Sequence, residues 1–203
     1  MRYEILDKHK KGERMIHEFD GYGSHIMILD KIKKIIDYNT ILEYGGGEYS
    51  TPYFMGIPGA EVTTIESQDY AWYQKIININ PNTLWMPDHD KVVEYTVTHN
   101  SKRDLVFLDS HQDLRHRLAP IVSDFTDVIV MHDSETASYR YHELPVDFKE
   151  WFYADFVLYR PWTGVLCKSK ELLQELLSHI PGILYKNMED KYTYITFKMQ
   201  VYQ

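Results

Sequence analysis

The sequence contains a single cysteine, Cys167, among its 203 residues. One thiol cannot form an intramolecular disulfide or a thiolate metal cluster, which excludes a secreted disulfide-stabilised scaffold. The chain also lacks an apolar run of the ~18 residues that a membrane helix needs, and its first residues lack the apolar stretch of a signal peptide. We therefore expect a soluble, cytoplasmic protein.

Basic residues are also in short supply. Lys and Arg number 22 against 30 Asp and Glu, which gives a net charge of -8. A chain of this sign repels the phosphate backbone, so the charge disfavours nucleic acid as a partner. Apolar types make up 44% of the residues and charged types 26%. This is ordinary globular composition, and the length is typical of one domain.

Short apolar runs alternate with helical patterns in the middle of the chain. The predicted strands are Thr40–Tyr44, Glu61–Glu66, Leu84–Met86, Arg103–Asp109 and Thr126–Asp133, and the predicted helices lie around Trp72–Ile77 and over Leu114–Val122. The alternation of Lys91–Val97 fits a strand, whereas its position fits a crossover helix. The sequence leaves both assignments possible. The alternation predicts an α/β fold with a doubly wound, mostly parallel Rossmann-like sheet and helices on both faces.

The two ends of the chain are less regular. Residues 1–23 have no sustained period, so we expect an arm or lid ahead of a single domain that spans residues 24–203. Ser24 is predicted to cap a helix that reaches about Asp37. The last third predicts a strand at Phe152–Tyr159, a helix at Ser169–His179 and an antiparallel edge strand at Tyr192–Val201.

Ligands of open α/β sheets bind outside the carboxyl ends of the strands. In this sequence those ends are polar. The candidate residues are Glu43, Gly45, Gly46, Gly47 and Ser50 after the first strand, Glu66 after the second, Asp88 and His89 after the third, Asp109, Ser110 and His111 after the fourth, and His132 and Asp133 after the fifth.

Gly45–Gly47 and Glu66 together indicate a nucleoside. Glycines allow a ligand to approach the backbone, and Glu66 follows Gly45 by 21 residues, where a carboxylate can accept both ribose hydroxyl hydrogens. A plain tight turn and a solvated acid are the alternatives. The third position after Gly47 is Ser50 rather than glycine, and G-x-x-x-x-G-K-S/T does not occur. NAD and nucleoside triphosphates are therefore disfavoured.

The stretch Ile41–Asp133 resembles a known family. LEYGGGEYST resembles motif I of the class I S-adenosyl-L-methionine-dependent methyltransferases. DLVFLDSHQDLRHRLAPIV followed by DVIVMHD is similar to the branch of small-molecule O-methyltransferases and cephalosporin hydroxylase-like proteins. In that branch the fourth strand commonly ends Asp-Gly-x-His and the fifth His-Asp. The corresponding residues are Asp109, Ser110 and His111, with His111 one place earlier than in the family pattern, then His132 and Asp133.

The resemblance implies a role for each strand end. By this resemblance Gly45 and Gly47 approach the methionine part of the cofactor, Glu43 supports this loop, Glu66 holds the ribose, and Asp88 or His89 borders the adenine. The further cofactor-binding candidates are Gly46, Ser50 and Asp109. The acidic Glu48 and the bulky Tyr49 that follow the glycines depart from the family pattern.

Methyl transfer to a hydroxyl needs alignment of two reactants and a base near neutral pKa. His111, beside Asp109, is the first candidate base, and His132 is the second. Asp109, His132 and Asp133 also form an oxygen and nitrogen set that suits a divalent cation such as Mg²⁺, although such aspartates can simply cap helices. The basic run Arg115–Arg117 is typical of a solvated helix face.

The sequence therefore predicts an enzyme that methylates a small-molecule hydroxyl, with a divalent cation as an option. The absence of an Asn-Pro-Pro-Tyr or Asp-Pro-Pro-Tyr string argues against a DNA base as acceptor. Two alternatives stay open. One is a metal-dependent α/β enzyme such as a sugar-nucleotide transferase, and the other is a non-catalytic module that keeps the fold and binds protein partners.

Overall fold

The computed structural model describes residues 3–5, 15–17, 23–135, 151–157 and 161–185. Strands β1 (Tyr3–Ile5) and β2 (Met15–His17) pair antiparallel in a two-stranded sheet of their own. The prediction that residues 1–23 form an arm or lid stays a prediction. No helix within the described ranges is long and apolar enough to cross a bilayer.

Among the described residues, the main sheet has eight strands, five of which run parallel. The parallel strands are β3 (Thr40–Tyr44), β4 (Glu61–Glu66), β5 (Thr83–Trp85), β6 (Leu105–Leu108) and β7 (Val128–His132). Antiparallel strands β8 (Phe152–Phe156), β9 (Thr163–Cys167) and β10 (Gly182–Tyr185) extend the sheet beyond β7. The order is β10-β8-β9-β7-β6-β3-β4-β5, so the direction of winding reverses between β3 and β6.

Helices cover both faces of the sheet. They are α1 (Ser24–Ile35), α2 (Ser50–Met55), α3 (Tyr70–Ile76), α4 (His89–Thr98), α5 (Gln112–Val122) and α6 (Lys170–His179). Strand β6 shows how the two cores form, because its residues alternate between them. Leu105 and Phe107 pack in the core that includes α1 and α6, whereas Val106 and Leu108 pack in the core that includes α4 and α5. Burial on both faces explains why this strand is apolar throughout.

The predicted fold class is confirmed by this architecture. The strands Thr40–Tyr44 and Glu61–Glu66 have the predicted bounds, and Lys91–Val97 lies inside helix α4. In the described part of the chain the last strand of the sheet on this side is the antiparallel β10, while the strand predicted at Tyr192–Val201 falls outside the described residues. Helix α2 was not predicted.

The predicted cap of α1 is wrong. Gly23 is the N-cap residue and Ser24 is the first residue of the helix. The Ser24 hydroxyl instead donates a hydrogen bond to the carbonyl oxygen of Pro161, 2.7 Å away. The serine therefore joins α1 to a distant segment rather than capping its own helix.

The carboxyl ends of β3 and β6 approach each other closely at Gly45. Its φ is 81°, and a Cβ at this position would lie 2.3 Å from the carbonyl oxygen of Asp109. The Asp109 N–H donates to the carbonyl oxygen of Tyr44 at 2.8 Å. Neither the backbone conformation nor the space at Gly45 admits a side chain.

We expect Gly45→Ala to destabilise the protein more than Gly59→Ala. Gly59 has a similar φ of 77° but nothing within 4 Å of its added Cβ. Gly59→Ala should therefore lose only the ~1–2 kcal/mol of stability that the left-handed backbone conformation costs a residue with a side chain. Gly45→Ala adds a clash with main-chain atoms, which cannot rotate away. Urea unfolding measures both free energies, and equal losses would contradict the close approach.

Candidate functional site

A cavity of about 530 Å³ lies at the carboxyl ends of β3, β4 and β6, where the strand order reverses. Its walls are Gly45, Gly46, Gly47, Glu66, Gln68, Trp72, Asp109, Ser110, His111, Gln112 and Arg115. Such a volume is typical of pockets for small ligands. The position is also the one at which open α/β sheets bind ligands.

Contacts within the protein constrain the glycine turn, Gly45–Gly47. A Cβ on Gly46 would lie 2.6 Å from Cγ2 of Ile76, and the Trp72 indole N–H donates to the Gly46 carbonyl oxygen at 2.6 Å. At Gly47 the nearest atom to an added Cβ is Oγ of Ser50, at 3.0 Å. Packing therefore requires Gly46, as it does Gly45, while Gly47 borders more open space.

Glu43 supports this turn from below and does not line the cavity. Its fully buried Oε2 accepts hydrogen bonds from the hydroxyls of Thr51, at 2.9 Å, and Thr64, at 2.7 Å. Thr51 in turn accepts the Gly47 N–H at 3.1 Å. Burial raises the pKa of Glu43 to about 7, although the hydroxyls of Thr51, Thr64 and Ser50 oppose the shift. Ser50 is buried in this layer and does not reach the cavity wall.

Glu66 lies on the cavity wall with only 2% of its surface exposed. Its Oε1 accepts the backbone N–H groups of Ser67 and Gln68, at 2.9 and 2.8 Å. Burial raises the pKa of the carboxyl, and the backbone donors oppose this shift. The two backbone bonds fix the orientation of the carboxyl group at the cavity.

The structure does not bring Asp88 to the cavity. Its exposed side chain caps α4 by accepting the N–H of Asp90 at 2.9 Å. His89 begins α4 beside it, and its ring lies tilted against that of His111, with 5.0 Å between the ring centroids. Neither residue lies on the cavity wall.

A buried guanidinium connects the ends of β6 and β7. Arg115 is 3% exposed, and its Nη2 lies 2.8 Å from Oδ1 of Asp109 while its Nη1 lies 3.2 Å from Oδ2 of Asp133. The same side chain donates to the carbonyl oxygens of Ser110 and His132. Both strand ends are therefore held by one side chain of α5.

His132 completes this cluster from β7. Its Nδ1 is 3.3 Å from Oδ2 of Asp109 and 3.9 Å from Oδ1 of Asp133. Burial lowers the pKa of His132, but the hydrogen bond and the charge of Asp109 outweigh burial and raise the pKa overall. Burial opposes a low pKa at Asp109, yet Arg115 and His132 together hold this pKa below its usual range.

Asp109, His132 and Asp133 do come together, with one ligand atom of each within 4.8 Å of the others. One oxygen of each carboxylate, however, already accepts from Arg115. The guanidinium already compensates the two carboxylates, and Nδ1 of His132 contacts the other oxygen of Asp109, so a divalent cation would have to displace these contacts beside a buried positive charge. The predicted Mg²⁺ set therefore does not fit a divalent cation.

His111 and His132 lie in different surroundings. His111 is the N-cap residue of α5, its Nδ1 accepts the N–H of Asp113 at 3.3 Å, and its ring lies on the cavity wall. His132 is buried behind Asp109 and does not line the cavity. Of the two candidate bases, His132 has a carboxylate that orients it, and His111 has access to the cavity.

The interpretation of Arg115–Arg117 as a solvated face is wrong for Arg115. Arg115, Leu118, Ala119 and Val122 follow the spacing of one helix face, and all four are buried. This helical spacing was the sequence signal that could have identified Arg115 as buried. The sequence analysis also missed His25, which is 3% exposed and whose ring centroid lies 4.6 Å from that of His132.

No family model and no curated protein matches this sequence. Solved structures do match. A Staphylococcus aureus protein assigned as a caffeoyl-CoA O-methyltransferase superposes with a TM-score of 0.57 at 12% identity, over 72% of this chain and 83% of that chain. An O-methyltransferase from Bacillus cereus in complex with SAH gives 0.54 at 16% identity, over 75% and 83%.

The fold is that of the class I methyltransferases. A spermidine synthase in complex with the transition-state analogue AdoDATO also matches, with a TM-score of 0.53 at 13% identity over 80% of this chain and 64% of that chain. At these identities the likeness establishes the methyltransferase fold and does not select a reaction.

The pKa of Glu43 predicts a pH-dependent stability. Between pH 4.5, the ordinary value, and about 7, the folded protein keeps a proton that the unfolded chain has lost. The free energy of unfolding should therefore fall by about 3 kcal/mol as the pH rises through this range. Glu43→Gln should remove this contribution, because the amide oxygen can still accept from Thr51 and Thr64.

Urea unfolding at pH 5 and pH 8 measures the effect. Relative to the wild type, Glu43→Gln should gain stability at pH 8 and little at pH 5. Glu61→Gln, at the exposed start of β4, is the matched control and should follow the wild type at both pH values. A parallel pH dependence in Glu43→Gln would contradict the burial of a charge at this position.

Proposed function

We propose that this protein is an S-adenosyl-L-methionine-dependent methyltransferase that methylates a hydroxyl group of a small molecule. One observation carries the proposal. The cavity at the reversal of the strand order is lined both by the glycine turn, Gly45–Gly47, and by the oriented carboxyl of Glu66. The methyltransferase fold and the names of its O-methyltransferase neighbours support the choice of reaction.

The residues of the cavity suit the proposed cofactor. Glu66 can accept the two hydroxyl hydrogens of a ribose, and the backbone around Gly47 leaves room beside the turn. Asp109 places negative charge on the same wall. When bound, S-adenosyl-L-methionine supplies a methyl group on a positively charged sulfur, which a nearby carboxylate favours.

We assign the general base to His132. Asp109 accepts from Nδ1 of this histidine at 3.3 Å, which fixes the tautomer and leaves Nε2 as the basic nitrogen. Because His132 does not line the cavity, it would take the proton of the acceptor hydroxyl through one intervening water as the methyl group is transferred. His111 contributes to the cavity wall and is the second candidate.

The geometry weakens the metal-dependent alternative, because Arg115 already forms ion pairs with both Asp109 and Asp133. The cation is therefore left out of the proposed reaction. The non-catalytic alternative differs in one measurable property, since such a module needs no nucleoside in its cavity. The net charge of -8 supports a small-molecule acceptor over a nucleic acid.

We expect Glu66→Ala to weaken the binding of SAH by about 10- to 100-fold, because hydrogen bonds to a charged group are worth ~1.5–3 kcal/mol. Isothermal titration calorimetry of the full chain with SAH measures this affinity. Glu61→Ala removes a carboxylate from the exposed start of the same strand and should bind SAH like the wild type. If the wild type does not bind SAH, the proposed function fails.

We expect His132→Asn to separate binding from turnover. The asparagine amide can replace Nδ1 as a donor to Asp109, and His132 does not line the cavity, so SAH affinity should persist. Loss of the base should lower the rate at which S-adenosyl-L-methionine is converted to SAH by about 10²–10⁴-fold. The methyl acceptors in this assay are a panel of phenols and catechols. The wild-type rate should rise with pH through the raised pKa of His132, because the base must be neutral.

His179→Asn is the control for this experiment, because His179 is an exposed histidine at the end of α6. Its rate and its pH profile should match those of the wild type. An unchanged rate in His132→Asn would exclude His132 as the base. A loss of SAH binding together with the rate would indicate that His132 supports the structure of the site instead.

A further inference from the structure

Two histidines and an aspartate meet where α4 and α5 begin. His89 is the first residue of α4, His111 is the N-cap of α5, and Asp113 lies in its first turn. The ring centroids of the histidines are 5.0 Å apart, and Nδ1 of His111 is 3.5 Å from Oδ2 of Asp113. One ligand atom from each of the three lies within 4.8 Å of the others.

The backbone that carries these side chains is held by other contacts. Asp88 caps the start of α4. Arg117 of α5 reaches Oδ1 of Asp90 in α4 at 2.6 Å, which joins the first turn of one helix to the other helix. These contacts help to place the start of α4, which carries His89, beside the start of α5, which carries His111.

We propose that His89, His111 and Asp113 bind a divalent transition ion of the Zn²⁺ class. Two imidazoles and one carboxylate are ligands that Zn²⁺ accepts, whereas Mg²⁺ and Ca²⁺ prefer sets of oxygen atoms alone. Zinc bonds of ~2.0–2.2 Å place tetrahedral ligand atoms about 3.3 Å apart. The ligand atoms lie within 4.8 Å of one another, so side-chain rotation has to close a difference of at most about 1.5 Å.

The charge around this set differs from that around Asp109 and Asp133. There a buried guanidinium already compensates the carboxylates. Within the part of the chain that the structure describes, Asp113 forms an ion-pair contact with His111 and with no lysine or arginine. The carboxylate of Asp113 is therefore available to a cation.

The proposed ion lies beside the cavity, because His111 also forms part of its wall. Three protein ligands leave a coordination position to water, which is the pattern of zinc sites that bind further ligands. The site does not depend on the methyl donor.

Calorimetric titration of the full chain with ZnCl₂, in the absence of SAH, tests the proposal. We expect one saturable site for Zn²⁺, a visible absorption band when Co²⁺ is used, and no comparable site for Mg²⁺. His89→Ala, Asp113→Asn and His111→Asn should each lower the affinity for Zn²⁺ by more than ~10–100-fold, which is the loss expected when only a hydrogen-bond partner of a ligand is removed. Asparagine at position 111 keeps a helix-capping side chain.

His99→Ala and His179→Ala remove exposed histidines outside the set and should leave the affinity of this site unchanged. Zn²⁺ affinity that survives in both His89→Ala and Asp113→Asn would overturn the proposal, as would the absence of saturable binding to the wild type. Because the titration uses the metal alone, its outcome is independent of SAH binding and of turnover.

Discussion

The guanidinium of Arg115 connects the ends of the two strands on which the site is built. It contacts Asp109 and the Ser110 carbonyl after β6, and Asp133 and the His132 carbonyl at the end of β7. A buried charge is costly unless charged and polar partners compensate it. Here the compensating partners come from two different strands, so the ion pairs also set how those strand ends lie relative to each other.

This arrangement decides the electrostatics of the whole edge of the sheet. Arg115 allows Asp109 to stay ionised while buried, and an ionised Asp109 in turn orients His132 and raises its pKa. The cluster that most resembles a metal site is thereby neutralised from within. His89, at the start of α4, and His111 and Asp113, at the start of α5, contact no lysine or arginine among the described residues. This difference gives the two sets different chemistry.

The hydrophobic pattern was sufficient to predict most of the sheet. Thr40–Tyr44 and Glu61–Glu66 have the predicted bounds, because buried strands are apolar runs that end abruptly at polar residues or glycine. Lys91–Val97 could not be decided from its period alone. It is a helix because it connects two parallel strands, β5 and β6, and such a connection must cross a face of the sheet. Arg115 was misinterpreted because its neighbours are charged, although its spacing to Val122 places it on the buried face.

The sequence by itself determined the fold class and the polar residues that end each strand, because both depend on local periodicity. Only the tertiary structure decided which of those residues meet. Glu66 and Asp88 both follow strands, yet Glu66 lies on the cavity wall and Asp88 caps a helix. The physical reason is that each polar group takes whichever donor or charge the packed chain brings nearest. Those partners, as Arg115 and Asp133 show, come from separate elements.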